Sequence, residues 1–293
     1  MAYVAEKKNP LIVFFKYAVA VILTLLFVFP FYNMLVISLN DSADLVNGYP
    51  FFFPRVFSLK NYEAVFQSPL LGRAFLLSIA RTVLSTILCL FFTGMLAYVL
   101  TRRNLLGKRF FNMLFIATMY VGGGLVPTYI QYRDLGLVNN FLVFVIPSAL
   151  SVYYMIVMKS YFAGIPDSLE DAAKIDGCND FSIYVRIYIP VSIPVFAAIG
   201  VYTAVGSWNS WWDNYIFANT QDLTTLQLLL VRMIKEADVV TTMGGGSMTN
   251  PAFANPMGVR MATTMVATVP ILLVYPFFQR YFISGMTIGA VKE

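Results

Sequence analysis

Histidine is absent from the 293 residues, and cysteine occurs only twice, at Cys89 and Cys178. The first absence excludes histidine-bound zinc, a Ser-His-Asp hydrolase and histidine proton relays together. The two cysteines show neither metal-ligand spacing nor a disulfide pattern. No GxxxxGKS/T phosphate loop is present, so the chain is not expected to hydrolyse a nucleotide itself. Charge is scarce too: Asp, Glu, Lys and Arg make up 12% of the residues, about half of what a soluble domain carries. No internal repeat is visible, which weighs against a secondary transporter built from inverted repeats.

What the chain has in place of charge is apolar runs. Hydrophobic residues make up 59% of it, and its mean hydropathy is +0.72. A helix needs about 20 apolar residues to cross roughly 30 Å of hydrocarbon. Runs of that kind predict six spans, at 13–39, 75–100, 110–131, 138–158, 190–212 and 261–283, in one transmembrane domain over 1–293. The expected class is an all-α polytopic membrane protein. The first run, Leu11 to Leu39, is too long for the apolar region of a signal peptide and shows no small-residue cleavage site, so it reads as a retained span.

The net charge of +5 follows from topology and does not call for nucleic acid. The short loop RRNLLGKR, with Arg102, Arg103, Lys108 and Arg109, is strongly positive and reads as cytoplasmic, as do Lys7, Lys8 and Lys16. Both termini and the 159–189 loop then face the cytoplasm. Two long loops lie outside. Residues 40–74 are aromatic and proline-rich and suit a small cap. Residues 213–259 carry an amphipathic piece, LQLLLVRMIKEA, followed by a tip at Gly244, Gly245 and Gly246. That tip reads either as a disordered loop or as a mobile finger that touches a partner or substrate.

The stretch from Pro166 to Pro194, PDSLEDAAKIDGCNDFSIYVRIYIPVSIP, is a polar, acid-bearing loop in this apolar chain. Asp167 as N-cap with Glu170 three residues on predicts a capping box, with Asp171 adding first-turn charge. Gly177 is a natural helix stop. The predicted helix, Ser168 to Ile175, is too short to persist alone in water and needs a surface to pack on. Leu169, Ala172, Ala173 and Asp176 share one side, flat enough for a partner's groove. An ordinary loop helix packed on its own chain is the alternative.

Other polar residues within or beside the spans are candidates for a polar solute's path. The stretch GSWNSWWDNY ends the fifth span; from it Trp208, Asn209, Trp211 and Asn214 are candidates, together with Tyr202 two turns below Asn209. Tyr120 and Tyr129 join them from the third span. An interfacial aromatic belt competes as an explanation for the tryptophans. Arg81 lies near the outer end of the second span and reads first as a snorkelling side chain, with a pathway role or an ion pair across a subunit interface as alternatives. A stand-alone secondary transporter of a small polar solute would want more ionisable residues in the membrane. An intramembrane enzyme would have little chemistry available.

The motif DAAKIDG, with Pro190 thirteen residues after Gly177, resembles the EAA loop of ABC importer permeases. FFFPRVFSLKNYEAVF is similar to the first periplasmic segment of carbohydrate permeases of the maltose-transporter type. GGGLVPTYI and the C-terminal MTIGAVKE resemble an oligosaccharide-importing subgroup, with alginate-type importers within its range. The sequence departs from the motif at Asp171, where the family has Glu, and Glu170 keeps the acidity. The resemblance implies a type I ABC importer permease (MetI-like) fold in a bacterial inner membrane. It implies Glu170, Asp171, Ala172, Ala173 and Gly177 as the coupling positions. It further implies a second, different permease subunit, two ATPase subunits that hold ATP and Mg2+, a solute-binding protein touched near Gly244–Gly246, and a carbohydrate substrate.

Overall fold

The computed structural model describes residues 10–67, 69–242 and 257–273. Its α-helices are α1 (Pro10–Ser38), α2 (Lys60–Gln67), α3 (Pro69–Thr101), α4 (Lys108–Tyr120), α5 (Leu125–Asp134), α6 (Val152–Phe162), α7 (Asp167–Ile175), α8 (Asp180–Val191), α9 (Ile193–Asn209), α10 (Trp212–Phe217), α11 (Leu226–Thr242) and α12 (Met257–Leu273). The chain divides into two compact units, Met1–Ser68 with Met233–Thr268 and Pro69–Arg232 with Val269–Glu293.

In the first unit α1 runs 29 residues through Pro30 without a break, as membrane helices tolerate. Its large side chains are exposed, Phe14 at 73% and Phe27 at 66%, which suits a lipid-facing surface. The chain then folds back on two buried asparagines. Asn40 donates to Asp44 Oδ2 at 2.9 Å and accepts from the Val56 amide at 3.1 Å. Asn61 donates to the carbonyls of Ser38 and Asn40 and accepts from the Ser42 hydroxyl at 2.6 Å. Gly258 sits against this knot: a Cβ there would lie 2.7 Å from Asn61 Oδ1, so only glycine fits.

The second unit is built around α3, a helix of 33 residues on which α6 and α9 pack. Its core joins Ala97, Tyr98 and Leu100 to Met155, Met158, Phe162, Tyr184 and Ile199. Close approach depends on Gly94, where a Cβ would lie 2.6 Å from the Tyr184 hydroxyl. Small residues of this kind let membrane helices pack tightly. The space lets the Tyr184 hydroxyl donate to the Phe91 carbonyl at 2.9 Å.

Three predicted spans differ from continuous helices. The stretch 110–131 is α4 and α5, bent by 114° at the glycines before Leu125; Gly124 takes φ +79°, which ends a right-handed helix. The stretch 138–158 holds a 3₁₀ turn, Phe141–Phe144, and only then α6, of 11 residues. Pro147 has no amide to donate and restricts the residue before it, so the chain does not stay helical between the two. The fifth run is bent by 84° between α8 and α9, beside Pro190 and Pro194. Among the described residues, two helices are long and apolar enough to cross a membrane alone, or four if each bent pair is one crossing. The last predicted span, 261–283, is described only as far as Leu273.

Candidate functional site

Two places in the second unit gather polar side chains, one at the C-terminal end of α3 and one within its N-terminal half. The first surrounds α7. The helix begins at Asp167 with Pro166 as N-cap, and no side chain caps it. The expected capping box is therefore absent. Glu170 turns away from the helix start because better partners stand behind it: it pairs with Arg102, accepts from Lys174 at 2.6 Å and accepts from the Tyr188 hydroxyl at 3.3 Å. Ion pairs of this kind are stronger than a neutral cap. Arg102 also donates to Asp180 at 2.8 Å and lies 5.0 Å over the Tyr98 ring. Arg103 pairs with Asp167 at 2.7 Å across two exposed side chains. Arg102, Arg103, Asp167, Glu170, Lys174 and Tyr188 line a cleft of about 410 Å³ between α7 and the chain following α3.

The C-terminus of α7 closes as the sequence predicts. Gly177 takes φ +78°, its amide donates to the Lys174 carbonyl at 3.0 Å, and the Cys178 amide donates to Ala173 at 2.9 Å. That paired pattern is a Schellman motif, and the positive φ favours glycine. The predicted flat side is divided. Ala173 is buried in the core of its own chain, while Leu169, Asp171, Ala172 and Asp176 are exposed. Ile175, not foreseen as a contact, is 86% exposed. The outward face is thus a mixed acidic and apolar one.

The second place is a cleft of about 380 Å³ walled by α3, α9 and the turns around Phe144 and Asp213. Arg81 is 4% exposed, pairs with Asp213, donates to the Ser210 carbonyl at 3.2 Å and lies 4.8 Å over the Phe144 ring. It does not snorkel; an acid in its own chain holds it. Asp213 is fixed in turn by the Ser210 hydroxyl at 2.7 Å and the Asn214 amide at 2.9 Å. Ser85 and Ser207 share a hydrogen bond at 2.9 Å across the same wall.

Of the residues proposed for a polar path, Tyr202 lines this cleft. Trp208 does not: it is buried edge-on against Phe75, with ring centroids 5.9 Å apart. Asn214 is fully buried as a loop staple, donating to Ala218 and Leu223 and accepting from the Thr225 amide. A residue with every hydrogen bond used inside the protein offers nothing to a passing solute. Tyr129 stacks on Phe217 at 6.1 Å. Tyr120 and Asn209 are exposed elsewhere, and Trp211 packs on Trp212. Gly244, Gly245 and Gly246 lie outside the described residues.

A signal for the cleft was present in the sequence of α3. Ser78, Arg81, Ser85, Cys89 and Thr93 recur at helical spacing, and all five are buried. Each binds across to another segment or along the stripe: Ser78 accepts from the Leu226 amide, Thr93 from the Ser151 amide, and Cys89 lies 3.7 Å from Thr93. A polar stripe on an apolar helix marks the side that faces protein. Among the described residues no cluster of His, Cys, Asp and Glu is arranged to hold a metal ion.

No family model matches the chain. It is 33% identical over 288 residues to the polygalacturonan/rhamnogalacturonan transport system permease protein YtcP of Bacillus subtilis, covering 97% of this chain and 99% of that one. It is 36% identical over 265 residues to protein LplC of the same organism, covering 90% and 89%. Among solved structures it resembles a chain of a bacterial ABC transporter involved in the import of the acidic polysaccharide alginate. The TM-score there is 0.83 and the identity 25%, over 96% of this chain and 100% of that one.

Proposed function

The chain belongs to the permease subunits of carbohydrate ABC importers, and from that membership we propose how its parts divide the work. It forms half of a translocation pathway for an oligosaccharide, and a second, different permease subunit forms the other half. Two ATPase subunits hold ATP and Mg2+, because this sequence has no phosphate loop of its own. A solute-binding protein outside the membrane delivers the sugar and meets the segment around Gly244, Gly245 and Gly246. The chain crosses a bacterial inner membrane six times with both termini in the cytoplasm, each bent helix pair counting as one crossing. The names of the relatives and of the solved neighbour support fragments of polysaccharides as the substrate class.

The observation that carries this reading is the build of α7. The helix is stopped by a glycine of positive φ, and an ion-pair cluster fastens its back to the end of α3. Its outward side, with Asp171, Ala172 and Ile175, is left open. Such a helix suits a lever seated in an ATPase groove, with Glu170 and Ala173 anchoring it and Gly177 fixing its end. Closure of the ATPases would move α7 and α3 together and shift the balance between two conformations of the pathway. Gly177→Arg forces a non-glycine residue into the left-handed region, at a cost of about 1–2 kcal/mol, and puts bulk at the seat. Reconstituted with its partners, this variant is expected to hydrolyse ATP while uptake falls to background. Undiminished uptake would sink the lever reading.

A further inference from the structure

We propose that the cleft at Arg81 is a carbohydrate subsite belonging to this chain, and that it recognises hydroxyl groups of an uncharged glycosyl unit, not a carboxylate. The inference rests on the permease reading and adds a location and a chemical preference to it. The volume, about 380 Å³, falls in the range of small-molecule sites, about 300–1,000 Å³. An ionisable side chain this deep in an apolar helix marks a site by default.

The preference follows from charge balance. Arg81 is already matched by Asp213, whose second oxygen is held by Ser210 and the Asn214 amide. The guanidinium and the carboxylate leave the cleft with no net charge. A sugar carboxylate entering it would meet Asp213 as well as Arg81, and like charges at close range repel strongly when desolvated. A hydroxyl suffers no such penalty, because it both donates and accepts. The wall offers partners of both kinds. Arg81 Nε–H is buried without a hydrogen-bond partner; Ser85 donates to the Arg81 carbonyl at 2.6 Å, so Ser207 donates to Ser85 at 2.9 Å and keeps an oxygen able to accept. Tyr202 stands exposed at the same cleft, giving the flat surface on which a sugar ring packs.

The test uses the assembled importer and two probes with the same glycosyl backbone, one charged and one neutral: trigalacturonate and its fully methyl-esterified form. Binding is measured by equilibrium dialysis of labelled probe against the purified complex without the binding protein. The ester is expected to bind about tenfold or more tightly than the acid. Ser207→Ala is expected to weaken the ester severalfold, with the complex still assembled. Asp213→Asn, which leaves Arg81 uncompensated, is expected to reverse the order of the two probes. Tighter binding of the acid to the native complex, lost in Arg81→Gln, would overturn the proposal by making Arg81 a carboxylate clamp. Absence of binding, or binding that neither Ser207→Ala nor Asp213→Asn alters, would equally overturn it. Stimulation of ATP hydrolysis by the binding protein, measured on the same preparations, checks the permease reading separately.

Discussion

Two places along α3 carry the same device used for different purposes. At each an arginine from α3 or its next residue sits over an aromatic ring and pairs with an acid from a later segment: Arg81 with Phe144 and Asp213, Arg102 with Tyr98 and Glu170. They stand about 30 Å apart along the helix, at 1.5 Å per residue. Arg81 is almost wholly buried and has one acid, so its charge is balanced and little water competes. Arg102 has two acids, a neighbouring lysine on one of them and a more open surface. The inner pair walls a cleft, whereas the outer cluster holds α7 against the end of α3. Number of partners and access to water separate the two roles, not residue type.

The largest effect is expected from breaking the inner pair. Arg81→Met leaves Asp213 partly buried without its cation and should cost about 3 kcal/mol, read as lower thermal stability of the purified complex. Arg81→Met with Asp213→Asn should recover much of that loss, since the uncompensated charge is gone. Next comes the packing of α3 between the two places. Gly94→Ala pushes a methyl group onto the Tyr184 hydroxyl and Phe196 and should cost about 1–3 kcal/mol by overpacking, again read by melting. Arg102→Met should cost less in stability, about 1 kcal/mol, because Glu170 keeps Lys174. Its larger effect should be on coupling, with uptake per ATP hydrolysed falling about fivefold or more. Equal stability losses from the Arg81 and Arg102 variants would remove the distinction drawn between them.

The smallest effect lies away from α3, in the first unit, and serves as a control. The Ala43 amide and then Lys60 hold the Asp41 carboxyl below its ordinary value, and Asn40 and then Arg55 do the same for Asp44. A lowered folded pKa adds stability above the unfolded pKa, about 3.9, which is lost as pH falls through the folded value. A modest drop in melting temperature is expected below about pH 4, and Asp41→Asn should flatten it.

The local features of α7 were legible because they depend on near neighbours. Gly177 ends the helix since only a residue at ease at positive φ closes that turn, and the acids of the first turn favour its start. The partner of Glu170 was not legible, because Arg102 reaches it from far along the chain. Ala173 looked equivalent to Ala172 on a bare helix, and packing against the core told them apart. Asn214 looked like a sugar contact because asparagine serves loops and ligands equally well, and only its three filled hydrogen bonds identify it as a staple. The breaks in the third and fourth predicted spans were written in Gly122–Gly124 and Pro147, but hydropathy averages over such residues.

By itself the sequence determined that the chain is built of apolar runs of membrane length, that it carries no phosphate-loop motif, and that a short helix stopped by a glycine interrupts those runs. Composition and short-range stereochemistry suffice for these, since each rests on residues within a turn or a span of one another. Tertiary structure alone decided which acid neutralises Arg81, which side of α7 is free, and that Ser85 meets Ser207 on the wall of a cleft. Those outcomes depend on which distant segments meet, and a buried charge takes the partner that the fold brings within reach.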